Sequence, residues 1–311
     1  MKPADFKFFL ARLAELTLKQ RDALLTAMSD EPGDANAIIE ARFGDGPICP
    51  HCASQDIGRW GSTGGLRRFR CRGCCKTFTA LTGTPLAGLH KRQLWLGFAS
   101  LLIDQASVRS CAKHCCIDIT TSFRWRHRFL ETPRDTRSAK LRNIVEADET
   151  FFLESFKGAG NMPRTPRKRG GTAKKRGLSK EQIPVLIARD RHGGMIDARL
   201  PELTAAAIEI VLKPAVDKQV LLVSDGASRY QRVADNAGIK HIGLNASAGE
   251  RRWGVFHIQN VNSYISRLKE WVRPFKGVAT KYLPNYLGWH RLLDGEGERL
   301  TPQSCLAAAL T

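Results

Sequence analysis

Two groups of residues have the types and spacing for chemistry. The first is Cys49-Pro-His-Cys52 and Cys71-Arg-Gly-Cys74, two C-x2-C knuckles separated by 18 residues. Each turn presents two thiolates, and four thiolates complete the tetrahedral shell of Zn²⁺. The Ile57–Phe69 stretch between them alternates around Gly64-Gly65, as a hairpin does. Such a short segment lacks the core to fold without metal. Cys75 is an alternative to Cys74, but the C-x2-C spacing favours Cys74, and His51 is expected to be exposed rather than a ligand. A shell closed by four cysteines has no open position, so the site is structural. The second group is acidic. Asp148 closes Val145-Glu-Ala-Asp148, and Asp225 closes the apolar run Val220-Leu-Leu-Val-Ser-Asp225. An aspartate at the end of a buried aliphatic strand must reach water, a cation or a partner. Two such ends side by side suit Mg²⁺ or Mn²⁺, which complete their shells with water and phosphate oxygens. Two ions about 4 Å apart serve phosphoryl transfer. Either aspartate alone reads equally well as a helix cap or turn residue.

A long helix over His257 to about Val272 supplies further members. Asn262 follows Asp225 by 37 residues, and Lys269 lies seven beyond it on the same helix face. An amide oxygen can ligate Mg²⁺, and the lysine can neutralise a phosphate. Glu146 shares a strand face with Asp148 and offers another carboxylate, whereas Glu149 faces the other way. Glu270 is expected to face solvent.

The elements that must carry these groups alternate along the chain. Residues 1–30 read as two short helices, with Thr17 and Gln20 as a capping box. A loop leads to the cysteine unit. Residues 90–131 return to helical spacing: a helix from Leu94, a second opened by Ser107, a turn at Cys115–Asp118 and a third opened by Thr120. Short helix, tight turn and basic helix is the helix-turn-helix layout, whose last helix enters the major groove. Arg124, Arg126 and Arg128 are its candidate DNA contacts. Cys111, His114, Cys115 and Cys116 are expected to pack rather than to bind a metal. After a linker at Thr132–Arg137 come strands at Leu141–Phe152, Ile183–Asp190, Met195–Leu200, Val220–Val223 and Lys240–Leu244, with helices at Thr204–Leu212 and Ala227–Ala237. Between Ser155 and Lys180 lie nine basic residues and no acid. Arg167, Lys168, Arg169, Lys174, Lys175 and Arg176 in this loop are expected to meet phosphates.

The composition points the same way. The 311 residues carry 49 Lys and Arg against 30 Asp and Glu, a net +19, which suggests a polyanionic partner. A hydrophobic fraction of 42% excludes wholesale disorder. No apolar run approaches the ~18 residues of a membrane span, and Lys2, Asp5, Lys7 and Arg12 interrupt the apolar residues at the start, so a secretion signal is not expected. Nine cysteines, an odd number, argue for a reducing compartment, and a cytoplasmic, nucleoid-associated protein is expected.

Together these features resemble the bacterial insertion-sequence transposases of the DDE type that bear a zinc ribbon and a DDNK or DDEK catalytic set. The motifs that carry the resemblance are the two knuckles, Phe78 and Thr82-Gly83-Thr84. They continue through Thr121–His127, Glu146–Thr150, Ser224-Asp-Gly226 and His257, and end with Asn262 to Lys269. It spans roughly residues 5–290, with Asn262 where the common pattern has Glu. The resemblance implies an RNase H-like core and a multi-domain α+β chain. Its segments would be N-terminal helices over 1–40, a zinc ribbon over 41–89, a helix-turn-helix over 90–137, an α/β catalytic domain over 138–295 with the basic loop 155–180, and a tail over 296–311. It further implies Asp148, Asp225, Asn262 and Lys269 as the catalytic set. The implied reaction is metal-dependent cleavage of double-stranded DNA at element ends, then strand transfer into target DNA by a homo-oligomer. A DNA-binding regulator without catalysis and a metal-dependent nuclease are the alternatives.

Overall fold

The computed structural model describes residue 8, residues 12–17, residue 20, and residues 35–44, 46–167, 171, 173–174, 179–245 and 248–311. Most of the two helices expected before residue 30 lies outside these. What is described there includes the reciprocal bonds of the capping box: the Gln20 amide donates to Thr17 Oγ1 at 3.3 Å and the Thr17 amide to Gln20 Oε1 at 2.9 Å.

The chain forms two compact units, Met1–Ser122 with Thr301–Thr311, and Phe123–Leu300. In the first unit, α1 (Ala35–Ala41) precedes a three-stranded sheet of β1 (Ile57–Thr63), β2 (Leu66–Cys71) and β3 (Thr77–Phe78) in that order. Gly64 and Gly65 close the β1–β2 hairpin at φ +55° and +81°, a turn that only glycine enters without strain at both positions. Its core is small: Phe69 and Phe78 stack at 5.8 Å, with Phe43 edge-on to both. Then follow α2 (Trp95–Ile103) and α3 (Val108–His114), the latter capped by Ser107, whose Oγ accepts from the Ser110 amide at 3.1 Å. The last helix, α10 (Pro302–Ala308), packs against α1 and α2 and buries Cys305 and Leu306.

The second unit is built on a five-stranded sheet in the order β6-β5-β4-β7-β8. β4 (Ile144–Leu153) pairs antiparallel with β5 (Gln182–Asp190), which pairs antiparallel with β6 (Met195–Arg199). On its other side β4 runs parallel to β7 (Leu221–Ser224), and β7 parallel to β8 (Lys240–Gly243). This order, with only the second strand reversed, is that of the RNase H-like fold. One sheet face, with Val145, Ala147, Leu186 and Leu222, packs on α6 (Ala205–Leu212) and α7 (Ser228–Ala237) through Ile208, Leu212, Tyr230 and Val233. A hairpin of β9 (Arg252–Trp253) and β10 (Phe256–His257) leads into α8 (Gln259–Val272), which lies against β4 and β5. α9 (Leu283–Glu296) packs on β6 and on α5 (Glu131–Asp135).

The structure divides the chain elsewhere than the expected bounds at 137 and 295. The second helix of the helix-turn-helix, α4 (Ile119–Phe129), runs unbroken past Ser122, so the seam falls inside it. The expected tail over 296–311 is no separate segment, because burying Cys305, Leu306 and Leu310 returns it to the first unit. Among the described residues no helix is long and apolar enough to cross a membrane.

α9 is fastened by Arg291. Its guanidinium pairs with the buried Asp197 of β6 and donates to the carbonyls of Pro133 at 2.8 Å and Thr136 at 3.0 Å. Burial pushes the Asp197 carboxyl up, and Arg291 opposes that shift. Removing one partner of a buried ion pair leaves an uncompensated charge. Arg291→Met is therefore expected to cost about 3–5 kcal/mol of stability in urea unfolding, and adding Asp197→Asn to recover much of the loss.

Candidate metal centres and nucleic-acid interface

The zinc knuckles converge as their spacing requires. One ligand atom from each of Cys49, Cys52, Cys71 and Cys74 lies within 4.8 Å of all the others. Cys49 Sγ and Cys74 Sγ are 3.6 Å apart, and Cys52 Sγ and Cys71 Sγ 3.5 Å. A tetrahedral shell with Zn–S bonds of about 2.3 Å has edges of roughly 3.8 Å, so the four thiols fit zinc. The His51 and Cys74 amides each donate to a knuckle sulfur at 3.4 Å, to Cys49 and Cys71 respectively, and the Cys74 amide helps bring the Cys71 thiol down to about 6. Cys75 turns away at φ +60°, and the His51 side chain is exposed. Cys111, His114, Cys115 and Cys116 do not group around a possible ion; Cys111 and Cys115 are buried, and burial pushes the Cys115 thiol up to about 11.

The carboxylate site follows from the sheet register. β4 pairs with β7 through Ile144↔Leu221, Val145↔Leu222 and Glu146↔Val223, so two residues further on Asp148 stands opposite Asp225. β7 ends at Ser224 while β4 continues to Leu153, which leaves a notch beside β4. It is also where the chain switches from one side of the sheet to the other, the usual place for a site in open α/β sheets. Glu149 joins the two aspartates, all three carboxylates lying within 4.8 Å of one another. This corrects the expectation for Glu149, whose alternation aimed it at the opposite face. With β7 already ended at Ser224, a long side chain from that face also reaches the notch. Arg229 of α7 draws it there, holding Glu149 at 2.6 and 3.1 Å and lying 3.8 Å from Asp225. The signal in the sequence is Arg229 itself, one helical turn beyond Asp225. Burial pushes the Asp148 carboxyl up to about 6, with Glu149 and Asp225 pushing the same way. Three crowded carboxylates against one guanidinium suit a divalent cation.

Glu146 is not part of that group. Its carboxylate is fully buried and accepts from the Asn260 amide at 2.9 Å, the Asn260 side chain at 2.8 Å and the Val261 amide at 3.2 Å. It caps α8, whose own N-cap residue, Ile258, has no capping side chain. Asn262 follows directly on the two capped amides. Asn262, Ser266 and Lys269 form one exposed stripe of α8, opposite Val261, Tyr264, Ile265 and Leu268 in the core. Glu270 is exposed and pairs with Arg273 at 3.0 Å.

The candidate DNA contacts divide. α3, a turn and α4 take the helix-turn-helix layout, joined by Ser122 Oγ donating to the Val108 carbonyl at 2.9 Å. Arg124 is exposed, and Arg128 is half-buried, 3.8 Å from Glu131. Arg126 is corrected: it is 3% exposed and lies over the Phe275 ring, because the buried Trp125 and Phe129 set the phase of α4 and carry Arg126 inward. Arg167 is also engaged, donating to Glu181 at 2.9 Å and the Glu154 carbonyl at 2.6 Å, which takes it from the free phosphate-binding role. Lys174 is exposed, while Lys168, Arg169, Lys175 and Arg176 lie outside the described residues.

Two outcomes follow from this geometry. Cys71→Ser should release zinc, read by elemental analysis, and melt the ribbon, whose aromatic core is too small to stand alone. At Asp148, a proton competes with a cation, so Mn²⁺ affinity measured by calorimetry should fall as pH drops through about 6. The sign for stability is opposite. A carboxyl raised in the folded state stabilises most below its unfolded value, and that contribution is lost as pH rises through about 6. In chelator, Asp148→Asn should remove that part of the pH dependence.

Comparison with known proteins gives the same division. A family model described as the ISXO2-like transposase domain matches residues 140–289, and one described as the transposase zinc-ribbon domain matches residues 29–77. A curated relative, an uncharacterized protein in transposable element ISH50 of Halobacterium salinarum, is 26% identical over 259 residues, covering 81% of this chain and 87% of that protein. Among solved structures, a simian T-cell lymphotropic virus intasome in complex with PP2A regulatory subunit B56 gamma overlaps at a TM-score of 0.28 and 9% identity, over 62% of this chain and 66% of that one. A pre-cleavage Mos1 transpososome overlaps at 0.21 and 15%, over 70% and 79%. Overlaps this slight add nothing to the fold derived above. The zinc-ribbon match holds the four cysteines and the transposase-domain match the three carboxylates, so the chain joins a transposase zinc ribbon to an ISXO2-like transposase domain.

Proposed function

We propose that the chain cuts DNA at the ends of its element and joins them to target DNA, with water as the first nucleophile and a DNA 3′-hydroxyl as the second. The observation that carries this reading is the convergence of Asp148, Glu149 and Asp225 in the notch between β4 and β7. Asp148 and Asp225 would hold Mg²⁺ or Mn²⁺, with Glu149 beside them and the Asn262 amide oxygen as a weaker, uncharged partner. A divalent cation there supplies charge stabilisation at the phosphate and lowers the pKa of a nucleophilic oxygen. Arg229 limits the repulsion among the carboxylates by neutralising Glu149. Lys269, two turns along the stripe from Asn262, would meet a phosphate of the bound strand.

DNA would be gripped by the zinc ribbon, by Arg124 and Arg128 of α4, and by Lys174 with Lys168, Arg169, Lys175 and Arg176 of the basic loop. Two ends held together would call for at least two copies of the chain. Under this reading the domains are the ribbon, the helix-turn-helix and the α/β unit, with α10 completing the first.

Asp148→Asn and Asp225→Asn should each abolish cleavage of element-end DNA while sparing binding, on the order of a thousandfold or more in rate. Asn262→Glu separates two roles: activity is kept or raised if Asn262 stands in for a carboxylate ligand, and falls if its amide orients DNA. Full cleavage by the Asp148→Asn, Asp225→Asn double mutant would leave a DNA-binding regulator as the better reading.

A further inference from the structure

The β9–β10 hairpin belongs to neither metal centre, yet it carries an unusual surface. Gly254, at φ +57°, and Val255 form its two-residue turn. Trp253 is 67% exposed and Val255 61%, and both Arg251 and Arg252 are exposed beside them. Phe256 meets the Trp253 ring at 6.1 Å. Glu250, the nearest acid in sequence, accepts from the Asn245 amide at 3.3 Å. A tryptophan held in water at the tip of a basic hairpin is a surface waiting for a partner.

The hairpin is anchored rather than slack. Arg191, in the turn between β5 and β6, donates to the Val255 carbonyl at 2.5 Å. The Nε of the same guanidinium lies 3.6 Å from the Glu146 carboxylate that caps α8. At the hairpin base, His257 Nδ1 lies 3.3 Å from Glu146. β10 lies beside β7, the strand that ends immediately before Asp225. Trp253 is thus carried by the same frame that positions the carboxylates and Asn262.

We propose that Trp253 is a wedge for DNA: its indole receives an unstacked base next to the reacting phosphate, while Arg251 and Arg252 meet the flanking phosphates. This rests on the catalytic reading above. An indole face stacks on any base, so the contact needs no sequence recognition. Apolar wedges in DNA-bending proteins open a base step in the same way. A protein partner fits less well, because a standard interface takes about 800 Å² per side and here two apolar side chains stand among arginines.

The test compares a fully paired duplex with one carrying a short unpaired fork, both in chelator and in an Asp148→Asn background so that no cleavage occurs. The wedge predicts tighter binding to the fork. Trp253→Ala should remove that preference, weakening fork binding by about tenfold while leaving the paired duplex unchanged. Trp253→Phe should keep most of it, and Arg252→Ala should weaken both duplexes alike. Equal losses on both duplexes with Trp253→Ala, or no loss, would overturn the wedge. So would a change in the oligomeric state of the DNA-free chain, which would assign the surface to a second copy. The catalytic reading is judged separately, on metal-dependent cleavage by the chain with Asp148 intact, and it can stand while the wedge falls.

Discussion

The Glu146 carboxylate sits without solvent exposure between a sheet strand and the start of a helix. A charge in such a place costs several kcal/mol unless every oxygen is satisfied. Here the satisfaction is structural: two amides of the first turn of α8, the Asn260 side chain and nearby Arg191 and His257 all face it. The helix dipole adds to the attraction, since an anion is favoured at an N-terminus. Because Glu146 lies two residues before Asp148 on β4, the bond that satisfies it also sets where α8 begins relative to the carboxylate notch. The stripe of Asn262 and Lys269, and the hairpin before the helix, take their places from this one charge.

The notch has a complementary problem. Asp148, Glu149 and Asp225 crowd like charges, and among the described residues Arg229 is the cation that pairs with them. The Asp148 carboxyl is pushed up first by burial, and Glu149 and Asp225 push it further the same way. The sheet tolerates it because the aliphatic core on the other face of β4, β5 and β7 is extensive. A rigid scaffold thus gathers negative charge at one end of its inner strands, which is what a cation-binding site needs.

What could be read from the sequence was whatever is local. The knuckles fix their own geometry, and aliphatic runs ending in aspartate announced β4 and β7; Asp225 does follow the end of β7, but β4 runs five residues past Asp148 to Leu153. Residues that depend on distant neighbours were less legible. Glu149 obeys the strand period but sits where β7 has already stopped, so the period no longer decides its reach. Arg126 looked like its neighbours Arg124 and Arg128 until burial of Trp125 and Phe129 fixed the helix phase. Arg167 lies in a stretch free of acids, but its partner Glu181 comes immediately after that stretch. α9 escaped a periodic reading because Leu283 and Asn285 to His290 are buried in sequence, so it has no polar face to mark it.

The return of α10 to the first unit carries a consequence for synthesis. A chain leaving the ribosome folds its early parts first where it can, at roughly 5–20 residues per second. Here the groove of α1 and α2 must wait for Pro302–Ala308 while the whole α/β unit is made. The inserted unit has all its strands in hand before then and can settle on its own. A ribosome that stopped after Leu300 would therefore release a chain with its carboxylate notch assembled and its cysteine-bearing unit still lacking its last helix.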